Sequence, residues 1–149
     1  SSTSNHGFLK KLSNTATEFM NGQGNWATPS VVSGTLTAGT SLTQNPYAVA
    51  ATVTQAHGLG AIPSFGYIAY MECLSTDLNY AAGDRVQVMS YLDNAADGGT
   101  RKITIAADAT NLVLRTAAAL VYLPDKSTGA TAAVTAANWK IVATPYKLN

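Results

Sequence analysis

The chain from about residue 31 onward alternates short runs rich in Thr, Val, Ala and Tyr with turns that contain Gly, Pro or Asp. β-Branched and aromatic residues favour strands, and the intervening segments are too short and too rich in Gly and Thr to form crossover helices. The candidate strands span residues 31–37, 47–54, 65–74, 85–92, 101–106, 111–115, 119–123 and 139–146. This spacing predicts an all-β fold, an antiparallel, jelly-roll-like β-sandwich of about eight strands.

The run at residues 65–74 is apolar on both faces of a strand. Its odd positions carry Phe65, Tyr67, Ala69, Met71 and Cys73, and its even positions carry Ile68, Tyr70, Glu72 and Leu74. Alternate residues of a strand share a face, so one face fills the sandwich and the other needs a cover. We expect that cover to be a subunit interface.

Two local signals refine this prediction. Asp97-Gly98-Gly99 lies between the candidate strands 85–92 and 101–106, and an Asp-Gly pair supplies the positive φ angles of a tight hairpin. Alanine-rich stretches such as 130–133 favour helices by propensity, but their β-branched neighbours argue against more than a turn or two. Residues 135–138 are expected to form a short helical turn before the last strand.

The first thirty residues differ from the rest and predict a docking arm. Apolar residues over positions 7–20 recur at helical spacing, which favours an amphipathic helix. The alternative is an extended arm whose aromatic side chains enter pockets on another subunit, because an isolated helix this short is marginal in water. We expect residues 1–30 to be arm and hinge, and residues 31–149 to be the sandwich domain. The docking residues of the arm are Phe8, Leu9, Leu12, Phe19, Met20 and Trp26.

Charge is scarce in this chain. Charged residues make up 11% of the sequence and the formal net charge is +1, against about 25% charged residues in ordinary soluble proteins. The longest basic runs are the pairs Lys10-Lys11 and Arg101-Lys102, so the cation cluster needed for nucleic-acid binding is missing. No apolar stretch approaches the length of a membrane span. We therefore expect a soluble protein with neither nucleic-acid binding nor membrane insertion, its surface largely covered by partners.

Residues that carry catalysis or bind metals give no strong signal. The common catalytic and phosphate-binding motifs are absent from the sequence. His57 precedes the turn Gly58-Leu59-Gly60 and is expected to hydrogen-bond the backbone of its loop, while the lone Cys73 is expected to be buried. Most aspartates fall in predicted turns, where they cap their own backbone. We therefore predict no enzyme activity, no catalytic residue, no cofactor and no metal.

Aromatic residues in loops suggest a different class of function. Tyrosine and tryptophan rings stack on sugar rings in carbohydrate-binding sandwiches, although packing in a core or interface explains most of them. The residues that fit a glycan platform are Tyr80 and Tyr91.

A resemblance to phage proteins is carried by several motifs. They are His57-Gly58-Leu59-Gly60, Pro63, residues 70–73, Tyr80-Ala81-Ala82-Gly83-Asp84, Ala107-Asp108-Ala109-Thr110-Asn111 and Ala137-Asn138-Trp139-Lys140. In this order, over residues 52–143, they resemble small C-terminal β-sandwich domains of tail proteins of tailed bacteriophages. Residues 19–26 also look like the Phe-Leu-x-Gly-x-Gly-x-Trp element that precedes a new domain in phage fibre proteins.

The resemblance implies a structural virion protein, assembled in the bacterial host cytoplasm. It suggests a homotrimer that forms a short tail fibre, tip or baseplate adaptor and contacts other virion proteins through its N-terminal arm. Besides a hydrolase, which would need a convergent acid–base site that the sequence does not show, two alternatives stay open at this point. One is a capsid decoration or head-fibre protein, and the other is a lectin-like module that binds host-surface glycans.

Overall fold

The computed structural model describes residues 34–88 and 102–149, together with four two-residue strands nearer the N-terminus. The chain divides into two units, Ser1–Gly34 and Thr35–Asn149. In the first unit, β1 (Asn5–His6) pairs antiparallel with β2 (Leu9–Lys10). In the same unit, β3 (Phe19–Met20) pairs antiparallel with β4 (Trp26–Ala27).

These short strands bear on the two alternatives for the arm. The prediction of a helix over residues 7–20 is wrong at the positions that the structure describes, because Leu9–Lys10 and Phe19–Met20 are both in short strands. A helix here would be short and would include the β-branched residues Thr15 and Thr17, so it has little stability of its own. The remaining arm positions, including Phe8 and Leu12, lie outside the described residues.

The second unit contains ten strands among its described residues, against about eight expected from the sequence. They are β5 (Leu36–Ala38), β6 (Leu42–Gln44), β7 (Thr52–Ala56), β8 (Gly66–Cys73), β9 (Arg85–Gln87), β10 (Ile103–Ala107), β11 (Asn111–Thr116), β12 (Tyr122–Pro124), β13 (Thr131–Ala133) and β14 (Trp139–Leu148). A single turn of 3-10 helix, Ala136–Asn138, precedes β14 as the sequence predicts.

The strands form two main antiparallel sheets. The larger has the order β5-β14-β8-β9, and β6 joins the same edge of β14 as β5. The smaller has the order β10-β11-β7, and β12 pairs with β13 as a separate ribbon. The core lies between the two main sheets and draws buried side chains from both, among them Met71, Ile141, Ile105 and Leu114. The predicted all-β, antiparallel sandwich is therefore confirmed.

Alternation along the strands explains how this core forms. In β8 the buried residues are Ala69, Met71 and Cys73, and in β14 Trp139, Ile141 and Ala143 lie directly opposite them. Tyr67 continues the inward row of β8, and its hydroxyl donates a hydrogen bond to the carbonyl of Ile105 across the sandwich at 3.0 Å. The period of two in the sequence thus places one row of side chains inside and the next row outside.

Some boundaries differ from those predicted. The expected strand 47–54 is shifted to Thr52–Ala56, because Tyr47 is buried from a loop and Ala50 has φ 51°, which interrupts extended backbone. Strands β6 and β13 are additional. The expected strand 85–92 begins at Arg85 as β9, but its second half and the Asp97-Gly98-Gly99 hairpin lie outside the described residues.

Candidate interaction surface

The outer face of the larger sheet carries the second row of side chains. On β8 this row is Ile68, Tyr70 and Glu72, whose partners across the strand pair on β14 are Thr144, Val142 and Lys140. The row continues along β14 with Tyr146 and Leu148, and Leu148 pairs with Leu36 of β5. Val142 is itself buried, and the apolar side chains of this row lie outside the core cluster between the sheets. The sheet therefore presents a second, largely apolar surface.

Large apolar side chains are exposed on this surface. The exposed fractions are 45% for Leu36, 60% for Phe65, 45% for Ile68 and 54% for Leu148. We refer to the surface formed by Leu36, Phe65, Ile68, Tyr70, Val142, Tyr146 and Leu148 as the apolar face. Large exposed apolar patches often mark interaction sites.

Phe65 joins the apolar face although strict alternation would place it inside. Gly66, the next residue, has φ +92°, a left-handed conformation that turns the chain at the start of β8. The Phe65 ring consequently packs edge-on against Tyr146, with 6.5 Å between ring centroids. Ser64 fixes this loop to β14, because its hydroxyl accepts a hydrogen bond from the backbone N–H of Leu148 at 3.0 Å.

The opposite end of the same surface is charged. Glu72 lies between two cations: its Oε1 is 2.6 Å from Lys140 Nζ, and its Oε2 accepts a hydrogen bond from Arg85 Nε at 2.9 Å. The hydrogen bond from Lys140, with that from Arg85, lowers the pKa of the Glu72 carboxyl. We refer to Glu72, Arg85 and Lys140 as the charged end. Two cations share one carboxylate there, so the charged end has a net positive charge.

The outer face of the smaller sheet is different in character. Apart from Val113 on β11, the residues that alternate with its buried positions are small or polar: Thr52, Thr54 and Ala56 on β7, Thr104 and Ala106 on β10, and Arg115 on β11. A face of this composition is suited to water. The outer faces of the two main sheets therefore differ. The outer face of the larger sheet is largely apolar, and that of the smaller sheet is not.

The motifs that carry the phage resemblance meet in pairs in the structure. His57 is buried, and its Nε2 donates to the carbonyl of Asp108, 51 residues away, at 3.1 Å, while its Nδ1 accepts from the backbone N–H of Leu59 at 3.1 Å. This assigns the proton to Nε2. The carboxylate of Asp108 in turn accepts hydrogen bonds from the N–H groups of Thr110 and Asn111. The bond to Leu59 is the contact with its own loop that the sequence predicts for His57, and the bond to Asp108 joins this loop to the 107–111 turn.

A second pair of motifs surrounds Trp139. Its indole Nε1 donates to the carboxylate of Asp77 at 2.8 Å, and its ring packs edge-on against Tyr80 with 5.4 Å between centroids. The Tyr80 hydroxyl donates to the carbonyl of Pro124 at 3.0 Å. Lys126 Nζ lies 5.9 Å from the centroid of the Tyr80 ring. Tyr80 is therefore engaged in holding loops together rather than standing free as a platform.

The other residues singled out in the sequence occupy different places. Tyr91, the second proposed glycan contact, lies outside the described residues, and so do Phe8 and Leu12 of the docking set. The backbones of Leu9, Phe19, Met20 and Trp26 are in the two-residue strands of the first unit. Cys73 is buried as predicted, and burial raises the pKa of its thiol.

Sequence reasoning located the outer row of β8 but missed most of the apolar face. Leu36, Phe65 and Leu148 are far apart in sequence and come together only through the pairing of β5 and β8 with β14. The sequence alone does not identify the cations that pair with Glu72. The register of β8 with β14 and β9 is what places Lys140 and Arg85 on either side of it.

No group of three or more His, Cys, Asp and Glu side chains in the part of the chain that the structure describes is arranged to hold a metal ion. No helix in the described segments is both long and apolar enough to cross a membrane. Comparisons with protein-family models, with curated proteins and with solved structures give no match.

Proposed function

We propose that this chain is a structural protein of a tailed-bacteriophage virion that assembles with copies of itself, as a homotrimer, through the apolar face. In this proposal the N-terminal arm anchors the chain to other virion proteins, in a short tail fibre, tip or baseplate adaptor. The exposure of the apolar face on the larger sheet is the observation that supports self-assembly. The virion setting rests on the resemblance of the sequence motifs.

Energetics favour covering the apolar face. Each of Leu36, Phe65, Ile68 and Leu148 leaves about half of its side chain in water, and covering half of such a side chain is worth about 1 kcal/mol. Several such contributions per copy act together in an oligomer. The 11% charge content agrees with this, because few charged residues remain to keep copies apart.

The contacts of His57 and Cys73 agree with a structural role for these two side chains. Both ring nitrogens of His57 are engaged with backbone groups, and the imidazole is buried. Cys73 is buried, and its thiol donates to the carbonyl of Ser75 at 2.9 Å. A buried thiol with a raised pKa is a poor nucleophile. Both side chains thus stabilise loops of the sandwich domain.

Light scattering on the purified full chain tests the self-assembly. We expect a molar mass near three times the 15.4 kDa of the monomer at micromolar concentration. A stable monomer under these conditions would rule out the homotrimer.

Labelling of whole particles tests the virion setting. Gold-labelled antibodies against the sandwich domain should decorate the tail or baseplate, whereas decoration of the shell would support the head-fibre alternative and unlabelled particles would contradict a virion role. A chain lacking residues 1–26 should keep its strand content by circular dichroism and fail to enter particles. Normal incorporation of that chain would contradict the anchoring role of the arm.

A further inference from the structure

His57 lies where three segments of the sandwich domain meet. Its backbone N–H donates to the carbonyl of Thr110 at 2.9 Å, and its carbonyl accepts a hydrogen bond from the N–H of Thr40 at 2.9 Å. These bonds fix its main chain between the 107–111 turn and the loop that joins β5 to β6. The residue is 1% exposed, so its ring depends on protein groups for its hydrogen bonds.

The two ring nitrogens of His57 hold different segments. Nε2 donates to the carbonyl of Asp108 at 3.1 Å, and Nδ1 accepts from the backbone N–H of Leu59 at 3.1 Å. Only the neutral imidazole can make both bonds, because a protonated ring has an N–H on each nitrogen and no acceptor. Protonation therefore preserves the donor to Asp108 and places the new Nδ1–H against the N–H of Leu59.

We infer that His57 is a pH-sensitive switch that holds the beginning of the loop 58–65 while its imidazole is neutral and releases it when the imidazole is protonated. Histidine is the side chain that ordinarily changes charge between about pH 8 and about pH 5. The main-chain bonds to Thr40 and Thr110 do not involve the ring, so protonation leaves the end of β7 in place. All of these bonds lie within one chain, and the switch therefore does not depend on self-assembly.

The side chain of Leu59 shows what its bond to the imidazole holds in place. A Cβ on Gly39 would lie 2.9 Å from Leu59 Cγ and 3.0 Å from Pro145 Cγ, so both side chains lie close against this glycine. A backbone donor that faces another donor has lost its partner, which is costly in a buried site. The exposed residues Gly58 and Gly60 flank Leu59, and movement to that side gives its N–H access to water. Protonation therefore draws Leu59 away from Gly39 and Pro145.

The loop 58–65 joins β7 to β8 and carries exposed apolar side chains. Ile62 is 63% exposed, and Phe65 belongs to the apolar face. The far end of the loop is held separately, because the N–H of Phe65 donates to the carbonyl of Tyr146 at 3.2 Å. Release at Leu59 therefore loosens the half of the loop that leads to Ile62 and leaves Phe65 attached to β14.

The other titratable groups around the imidazole do not change charge in the same range. Hydrogen bonds from the backbone N–H groups of its turn lower the pKa of the Asp108 carboxyl to about 2, so this group stays ionised. Nearby strands contribute Lys147, on the same side of β14 as Pro145, and Tyr67 of β8, which pairs with Pro145. Lysine and tyrosine side chains titrate well above this range. Residues 39–41 of the β5–β6 loop have no titratable side chain.

Amide hydrogen exchange of the full-length chain, followed residue by residue by NMR, tests the switch. Between about pH 7.5 and about pH 5, the range in which histidine titrates, the protection factor of the Leu59 amide should fall by about tenfold or more. The amides of Thr40, His57 and Phe65 donate to backbone carbonyls and should keep their protection factors within about twofold. Protection factors are ratios of intrinsic to observed exchange rates, so the ordinary effect of pH on exchange is removed.

His57→Asn is the matched control. The Oδ1 atom of Asn takes a position similar to that of Nδ1 and accepts the N–H of Leu59, but the side chain does not titrate. The other histidine of the chain, His6, is present in both proteins. The protection factor of Leu59 in His57→Asn should therefore be the same at both pH values.

Each of the other outcomes overturns the switch. Constant protection of the Leu59 amide in wild type would show that its bond survives acid. A parallel loss at Leu59, Thr40 and His57 would show general unfolding of the domain by acid, and an equal loss in His57→Asn would assign the pH dependence to another group. Should His57→Asn not fold, the ¹⁵N chemical shifts of the wild-type imidazole decide the same point, because a ring that stays neutral at about pH 5 would overturn the switch.

Discussion

The guanidinium carbon of Arg85 lies 4.5 Å from the centroid of the Tyr70 ring, at the boundary between the apolar face and the charged end. The same side chain donates from Nε to Glu72. Arg85 thus covers one aromatic ring of the outer surface and neutralises part of the carboxylate beside it. Beyond Tyr70, towards Ile68 and Leu148, no charged side chain projects from the paired positions of β8 and β14.

The bond between Trp139 and Asp77 is expected to matter for stability. Asp77→Ala removes the acceptor for the buried indole N–H of Trp139 and for the backbone N–H of Thr135. An unsatisfied buried donor costs about 1–3 kcal/mol, so we expect a loss of that order in chemical denaturation. Asp77→Asn keeps one acceptor oxygen and is the matched control, with a smaller loss. Equal stability of Asp77→Ala and wild type would contradict this role of the bond.

Gly39 and Gly58 are expected to respond differently to the same substitutions. A Cβ on Gly39 would lie 2.6 Å from the carbonyl oxygen of His57, whereas the space around Gly58 is open and its φ is +72°. Gly58→Ala should cost about 1–2 kcal/mol through backbone strain, and Gly58→Asn less, because Asn tolerates left-handed backbone. At Gly39, Asn should destabilise the protein more than Ala does, because its side chain is larger. Thermal denaturation of the four variants checks whether Asn is more stable than Ala at Gly58 and less stable than Ala at Gly39. The same order of stability at both sites would contradict this prediction.

Asp108 makes part of the stability dependent on pH. Hydrogen bonds from the backbone N–H groups of Thr110 and Asn111 lower the pKa of its carboxyl from 3.8 to about 2. At pH values above the pKa that this carboxyl has in the unfolded state, its lowered pKa stabilises the folded protein. This contribution to stability is lost as the pH falls from about 4 through about 2. Urea denaturation of Asp108→Asn should show a smaller decline over that interval than wild type. Parallel declines for the two proteins would contradict the assignment.

The sequence predicted features of the fold that depend on neighbouring residues. The two-faced pattern of 65–74 needs only alternation within one strand, and the burial of Cys73 and the backbone contacts of His57 follow from ordinary residue preferences. The 3-10 turn before β14 likewise follows from local composition. These predictions were correct because tertiary contacts favour the same conformations as the local residue preferences.

Features that depend on long-range pairing were not predicted. The three residues of β6 include Gln44, a buried polar residue whose Oε1 accepts a hydrogen bond from the N–H of Ala48, so no alternation of apolar residues marks this strand. In β13 the alanines favour a helix by propensity, but pairing with β12 holds them extended. The apolar face itself requires the register that joins Leu36 to Leu148 and Ile68 to Thr144.

The most direct test of the account is the concentration-dependent mass of Ile68→Lys by sedimentation velocity. Lys at the centre of the apolar face would have to be buried at every contact between copies, so we predict a monomer at concentrations where wild type is an oligomer. Thr104→Lys adds the same charge to the outer face of the smaller sheet and is predicted to sediment like wild type, with circular dichroism confirming that both variants are folded. An Ile68→Lys protein that keeps the wild-type mass would contradict the assignment of the apolar face as the surface of self-assembly.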